Sequence, residues 1–157
     1  MSYETMQAGL QTIIRGMAEY ADVQVTLGDW DILTQGHLVA VVLEYGGVEI
    51  EYEAMGGSDQ FTWTVLVHLY GRYTTDSETT NRMRDHRNVV LEELLKFPRL
   101  NGTAGCLNAN PVSGGWAEVT SGSGAGGGGT VEIGGLTFLH EIIEEEITEV
   151  RIVALSE

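Results

Sequence analysis

Near the start of the chain, apolar side chains recur at Met6, Leu10, Ile13, Ile14 and Met17, a spacing that gathers them on one face of a helix over residues 3–21. Ser2 is placed to cap it. From Val23 the period shortens to that of strands, and "VQVTL", "LVAVVLEY", "VEIEYE" and "FTWTVLVHLY" follow one another as a meander. Gly46-Gly47, between the second and third, has the length of a two-residue hairpin turn, and "MGGSD" turns the chain into the fourth. In "VEIEYE", Val48, Ile50 and Tyr52 face one way and Glu49, Glu51 and Glu53 the other, which predicts a half-buried antiparallel strand with a solvated acidic face. "FTWTVLVHLY" sets Phe61, Trp63, Val65, Val67 and Leu69 on one side and Leu66 and Tyr70 on the other, the mark of a central strand.

Thr75-Asp76-Ser77-Glu78 has the spacing of a capping box and predicts a second helix running to about Phe97, where Pro98 stops it. Its inner stripe is Met83, the stem of Arg87, Val90, Leu91, Leu94 and Leu95. "RLNGTAGCLNANPVSGG" reads as a loop-rich passage with one short strand. "WAEVT" and "TVEI" then bracket the glycine run Ser121–Gly129. The last segment, "LTFLHEIIEEEITEVRIVAL", also fits helical spacing, but Ile142, Ile143, Ile147, Thr148, Val150, Ile152 and Val153 make it rich in β-branched residues and favour strand. A bulge near Glu144 to Glu146 is needed to reset its alternation. The outline is α+β: a single domain over residues 1–157, with an antiparallel or mixed sheet packed against two α-helices.

Charge narrows the functional classes. The formal net charge is −15, which argues against a protein that grips nucleic acid through its phosphates. Six of the eight basic residues lie between Arg72 and Arg99 against five acids, so that segment carries +1 and the rest of the chain −16. Such polarity suits attraction between copies, with Arg82, Arg84 and Arg87 meeting Glu49, Glu51 and Glu53 or Glu144, Glu145 and Glu146 of a neighbour. The other reading of these charges is a helix face and strand faces kept wet. No run is long and apolar enough for a membrane span, and "MSYETMQAGL" lacks the pattern of a secretion signal, so a cytosolic or virion-borne protein is expected.

Signals for chemistry are weak. Gly122, Gly124 and Gly127 match G-x-G-x-x-G, yet "TVEIGG" after them reads as strand where a dinucleotide site needs a helix, and no P-loop lysine is present. The run, Gly126 included, is read as the flexible tip of a hairpin, with two outcomes open: it becomes ordered on a partner, or it stays mobile and has no role. "HEIIE" at His140 lacks the second histidine of a zinc-protease helix, and Glu144 to Glu146 lack the order of a calcium loop. His37, His68, His86 and His140 have no spacing that joins them and read as surface or satisfied histidines. Cys106, the one cysteine, reads as a small buried hydrophobe. No catalytic residue, metal or cofactor is expected.

The order "ETMQAGLQTIIRGM", "FTWTVLVHLYGRY", "SETTNRMRDHRNVVLEELLKF", "PRLNG" and "EITEVRIVAL" resembles that of the tail terminator proteins of long-tailed bacteriophages, also called tail-completion or tail-to-head joining proteins. The likeness is one of pattern and spans nearly the whole chain; the glycine run departs from it. It implies a structural virion protein that is not an enzyme. Such a protein forms a homo-oligomeric, typically hexameric, ring on the end of the tail tube, stops its polymerisation and offers a surface to head-completion or neck proteins. DNA passes through without specific binding. Two other readings stand beside it: a head-closure or neck adaptor, and a small acidic ligand-binding or enzymatic domain.

Overall fold

Two long ribbons of alternating residues, one on either side of a central strand, build the molecule, and both helices lie on the same side of the resulting sheet. The computed structural model describes residues 3–16, 25–27, 38–52, 58–102, 106–116 and 129–152. Helix α1 (Tyr3–Arg15) precedes a short strand β1 (Val25–Leu27) and the long strands β2 (Val39–Tyr52) and β3 (Ser58–Arg72). Helix α2 (Asp76–Lys96) and a 3-10 turn (Leu100–Gly102) lead to β4 (Cys106–Trp116), β5 (Thr130–Ile133) and β6 (Leu136–Ile152). The strand order is β1-β2-β3-β6-β4, with β5 also paired to β6. All pairings are antiparallel except that of β1 with β2. The fold is therefore α+β, a mixed sheet packed against two helices.

The core forms where the helical stripes meet the odd-numbered residues of β3 and β6. Met6, Leu10 and Ile14 of α1 and Met83, Val90 and Leu94 of α2 pack on Val41, Leu43, Val65, Val67, Leu69, Ile143 and Ile147. Each such side chain contributes about 1.5–3 kcal/mol by leaving water. Thr75 caps α2 as the capping-box spacing predicts, its hydroxyl accepting from the Glu78 amide at 3.4 Å. The carboxylate of Glu78 accepts from the Thr74 hydroxyl at 3.2 Å. The inner stripe of α2 is Thr79, Met83, His86, Val90 and Leu94, so His86 lies inside while Leu95 is 61% exposed. Among the described residues, no helix is long and apolar enough to cross a membrane.

Four expectations are corrected. Gly46-Gly47 is no hairpin turn: β2 runs through it, and the register against β3 slips between Tyr45 and Gly47. A bulge forms there because Gly46 lies within 3.0–3.1 Å, at the position of a Cβ, of Thr64 and Leu66, and Gly47 takes φ 122°. "VQVTL" contributes a parallel edge strand, so the first strands are not a meander. The passage after α2 holds an eleven-residue strand, β4, whose Pro111 is tolerated because β4 lies at the sheet edge. Finally, β6 pairs with β3 without a register shift; the bulges that adjust this part of the sheet belong to β4, between Cys106 and Asn108 and between Pro111 and Ser113.

The Ser2 cap, the last turn expected after Gly16, His37, Glu53, most of "MGGSD", all of "WAEVT" but its tryptophan, and glycines 122, 124, 126 and 127 lie outside the described residues.

Candidate functional site: the open face of the sheet

Strand alternation and one bulge collect the carboxylates on the face away from the helices. Before the bulge Glu44 is opposite Leu66, and after it Glu49 is opposite Thr62 and Glu51 opposite Gln60. On the far side of β3, Glu144 is opposite Leu66 and Glu146 opposite Thr64. Glu49, Glu51, Glu144 and Glu146 are exposed, and Glu44 is partly so. The β2 and β6 carboxylates are separated by β3, about 9–10 Å at ordinary strand spacing. That is too far for two of them to share a proton or hold one ion together. Among the described residues, no group of three or more metal-ligating side chains comes together.

Glu145 is corrected: it points to the opposite face, fully buried, and cannot meet a neighbour. Because β6 keeps strict alternation, Glu141, Glu145 and Glu149 share the core face with Leu139, Ile143 and Ile147. Glu141 accepts from Arg87 at 3.1 Å, and Glu149 accepts from the Trp63 indole N–H at 2.9 Å. Burial raises the Glu141 carboxyl, and the adjacent Arg87 offsets part of that. Neither oxygen of Glu145 has a hydrogen-bond partner among the described residues. Burial pushes its carboxyl up to about 8, so it is mostly protonated at neutral pH.

The three arginines expected at an interface separate in the same way. Arg87 is committed to Glu141, inside the chain. Arg82 donates to the Arg72 carbonyl at 2.7 Å and to the Thr74 hydroxyl at 3.4 Å. Arg84 is exposed, donating to Asn81 one turn away at 3.0 Å.

Where the acidic part of the open face ends, a diagonal of side chains crosses three strands: Glu44 on β2, His68 on β3 and His140 on β6. The His68 Nδ1 and His140 Nε2 atoms are 2.7 Å apart, and His68 Nε2 lies 3.5 Å from Glu44. A proton on His68 Nε2, toward the carboxylate, leaves Nδ1 to accept from His140. Tyr70 stacks on the His140 ring at 4.3 Å and 9°, and Tyr70 in turn packs with Phe138, Val42 and Ala40 in a second, smaller apolar cluster. Burial lowers the His68 imidazole, with Glu44 opposing. Burial and then His68 bring His140 down to about 4. The pair is therefore neutral at pH 7.

This grouping was not legible as a motif, because His68 and His140 are brought together only by the β3–β6 register. The buried carboxylates did leave a signal: Leu139, Ile143 and Ile147 alternate with Glu141, Glu145 and Glu149 at a period of four once no bulge is assumed. The strands that flank the glycine run are described; of the run itself, Gly129 alone is. β4 and β5 both pair antiparallel with β6, and they follow each other along it, with Trp116 opposite Glu141 and Thr130 opposite Leu139. The Gly129 carbonyl accepts from the His140 amide at 2.5 Å. β4 and β5 thus lie along the same edge of β6, β5 beside the histidine pair, and do not pair with each other over their described residues; residues 117–128 between them lie outside those described. Comparison with protein-family models finds no match, and comparison with curated proteins finds none.

Proposed function

We propose that the chain is a structural subunit that closes head to tail into a ring, of the kind that caps the tail tube of a long-tailed bacteriophage, with the open acidic face of its sheet turned toward the channel. The observation that carries this reading is the segregation of Glu44, Glu49, Glu51, Glu144 and Glu146 onto the sheet face that bears neither helix. A face of like charges makes a poor contact between copies, because charged residues are depleted from interface cores. It makes a good wall for a conduit, since carboxylates repel phosphates and prevent adhesion.

Contact between neighbours falls instead to the helix side. There β2 and β3 extend past α1 and leave Tyr45 48% and Ile50 39% exposed next to Trp63 and Phe61. Arg84, exposed on α2, adds a charge elsewhere on the same side. In this reading the ring ends polymerisation of the tube protein and presents a docking surface to head-completion proteins. It acts through shape and charge, without catalysis.

The test is charge reversal on the open face. A Glu144→Lys, Glu146→Lys variant is expected to keep the wild-type assembly mass in light scattering and to gain affinity for duplex DNA that falls steeply with added salt. Loss of assembly would mean that this face lies between subunits, and an assembled variant that ignores DNA would mean that it does not face the channel.

A further inference from the structure

Independently of the ring, we propose that the outer edge of β2 at Val48–Tyr52 takes up an extended segment of another polypeptide as an added strand, one in which apolar residues alternate with lysine or arginine. Among the described residues, β2 is paired on its β1 side only at Val41–Leu43. Past the bulge its pairing with β3 is regular, from Val48 opposite Trp63 to Tyr52 opposite Asp59. Glu49, Ile50 and Glu51 are exposed in succession, so the chain leaves this stretch uncovered. A regular strand with such an edge offers its backbone N–H and C=O groups to a further strand. The opposite edge of the sheet is less open: on β4 the Ala109 amide donates to the Pro98 carbonyl at 2.6 Å, and Pro111, next on the same side of the strand, has no amide to give.

The side chains of β2 select the occupant. An added strand places alternate residues beside Val48 and Ile50 on the helix side, where Ile50 is 39% exposed, and the residues between them beside Glu49 and Glu51 on the acidic face. Apolar residues suit the first set and cations the second. A second copy is a poor occupant, because β2 against β2 sets glutamates side by side on one face and β4 lacks the free donors. Glu49 and Glu51 thus guard the edge against self-pairing while they attract a cationic strand. The added strand lies in the plane of the sheet, so it leaves the helix-side face of β3 to a neighbouring subunit.

The experiment titrates the full chain with a short synthetic peptide that alternates valine and lysine, with amide exchange followed by NMR. Its controls are the glutamate-for-lysine peptide and two lysine peptides N-methylated on one or the other set of alternate amides. The lysine peptide is expected to saturate and to protect alternate amides of Val48–Tyr52 from exchange. Methylation removes donors and keeps the charges, so one of the two methylated peptides should bind about tenfold or more weaker. The glutamate peptide should not bind, and a Glu49→Lys, Glu51→Lys variant should reverse the preference between the two charges. The inference is overturned if the lysine peptide does not saturate, or if both methylated peptides bind as well as it does, which would place it on the carboxylates by charge alone. It is overturned equally if the β2 amides are already protected in the chain without peptide, which would give the edge to another copy or to the chain itself. The amides of the wild-type chain decide the matter even where a variant does not fold.

Discussion

Glu145 places both carboxyl oxygens in a core of Leu, Ile and Val without a hydrogen-bond partner among the described residues, and this has a definite pH signature. Its carboxyl is raised from 4.5 to about 8, so the folded chain holds a proton that the unfolded chain releases. The stability linked to that proton is fully present below about pH 4.5 and is lost as pH rises through 8, a change of order a few kcal/mol. His86 acts in the opposite sense. Burial lowers it from 6.5 to about 4 while its Nε2 donates to the Ala40 carbonyl, so its contribution is lost as pH falls from 6.5 toward 4. Glu145→Gln, which mimics the neutral acid, is expected to flatten the alkaline limb in urea unfolding and to stabilise the protein by about 1–3 kcal/mol at pH 9. A variant less stable than wild type at that pH would show that the charged form has a partner. Gly71 offers a second test, since a Cβ there would clash with the buried Met83 side chain where β3 passes under α2. Gly71→Ala should destabilise by about 1–3 kcal/mol in the same assay, and no loss would mean that Met83 has room to move.

Single elements show which sequence signals were legible. The α2 start was, because the Thr75 to Glu78 cap is a local interaction, and so was the central place of β3, buried on both faces over residues 67–71. Gly46-Gly47 predicts a hairpin and forms a bulge, because a glycine pair serves either; the choice is made by Thr64 and Leu66 on another strand. The alternation of β6 calls for a bulge only if all its glutamates face solvent, whereas Arg87 and Trp63 satisfy two of them inside. The histidine pair depends on register alone, which no local pattern encodes. The placing of β4 and β5 on successive stretches of β6 gives a prediction at this scale. Trp116 is opposite Glu141 and the Gly129 carbonyl meets the His140 amide, so removing residues 117–128 joins the two strands without a change of register. The shortened chain should fold cooperatively and gain up to about 2 kcal/mol from the loop closure it no longer makes. A shortened chain that fails to fold would show that this segment contributes to the sheet.

For the whole molecule, the layer of two helices and the bare acidic sheet face give the chain two unlike sides; in the proposed ring the acidic side faces the channel and the contacts, heterologous so that they close when the rotation permits, fall on the helix side. Arg84 is the arginine of α2 left on the surface, so Arg84→Glu should shift the assembly toward monomer in light scattering, while Arg87→Ala should chiefly lower stability by leaving Glu141 without its ion pair. Unchanged mass in the Arg84 variant would remove that residue from the contact. The central claim, that this chain acts as a self-assembling ring subunit, is tested most directly by negative-stain microscopy of the purified protein. Closed rings of identical subunits around an open channel are the predicted result, and a lone subunit that never associates would contradict it.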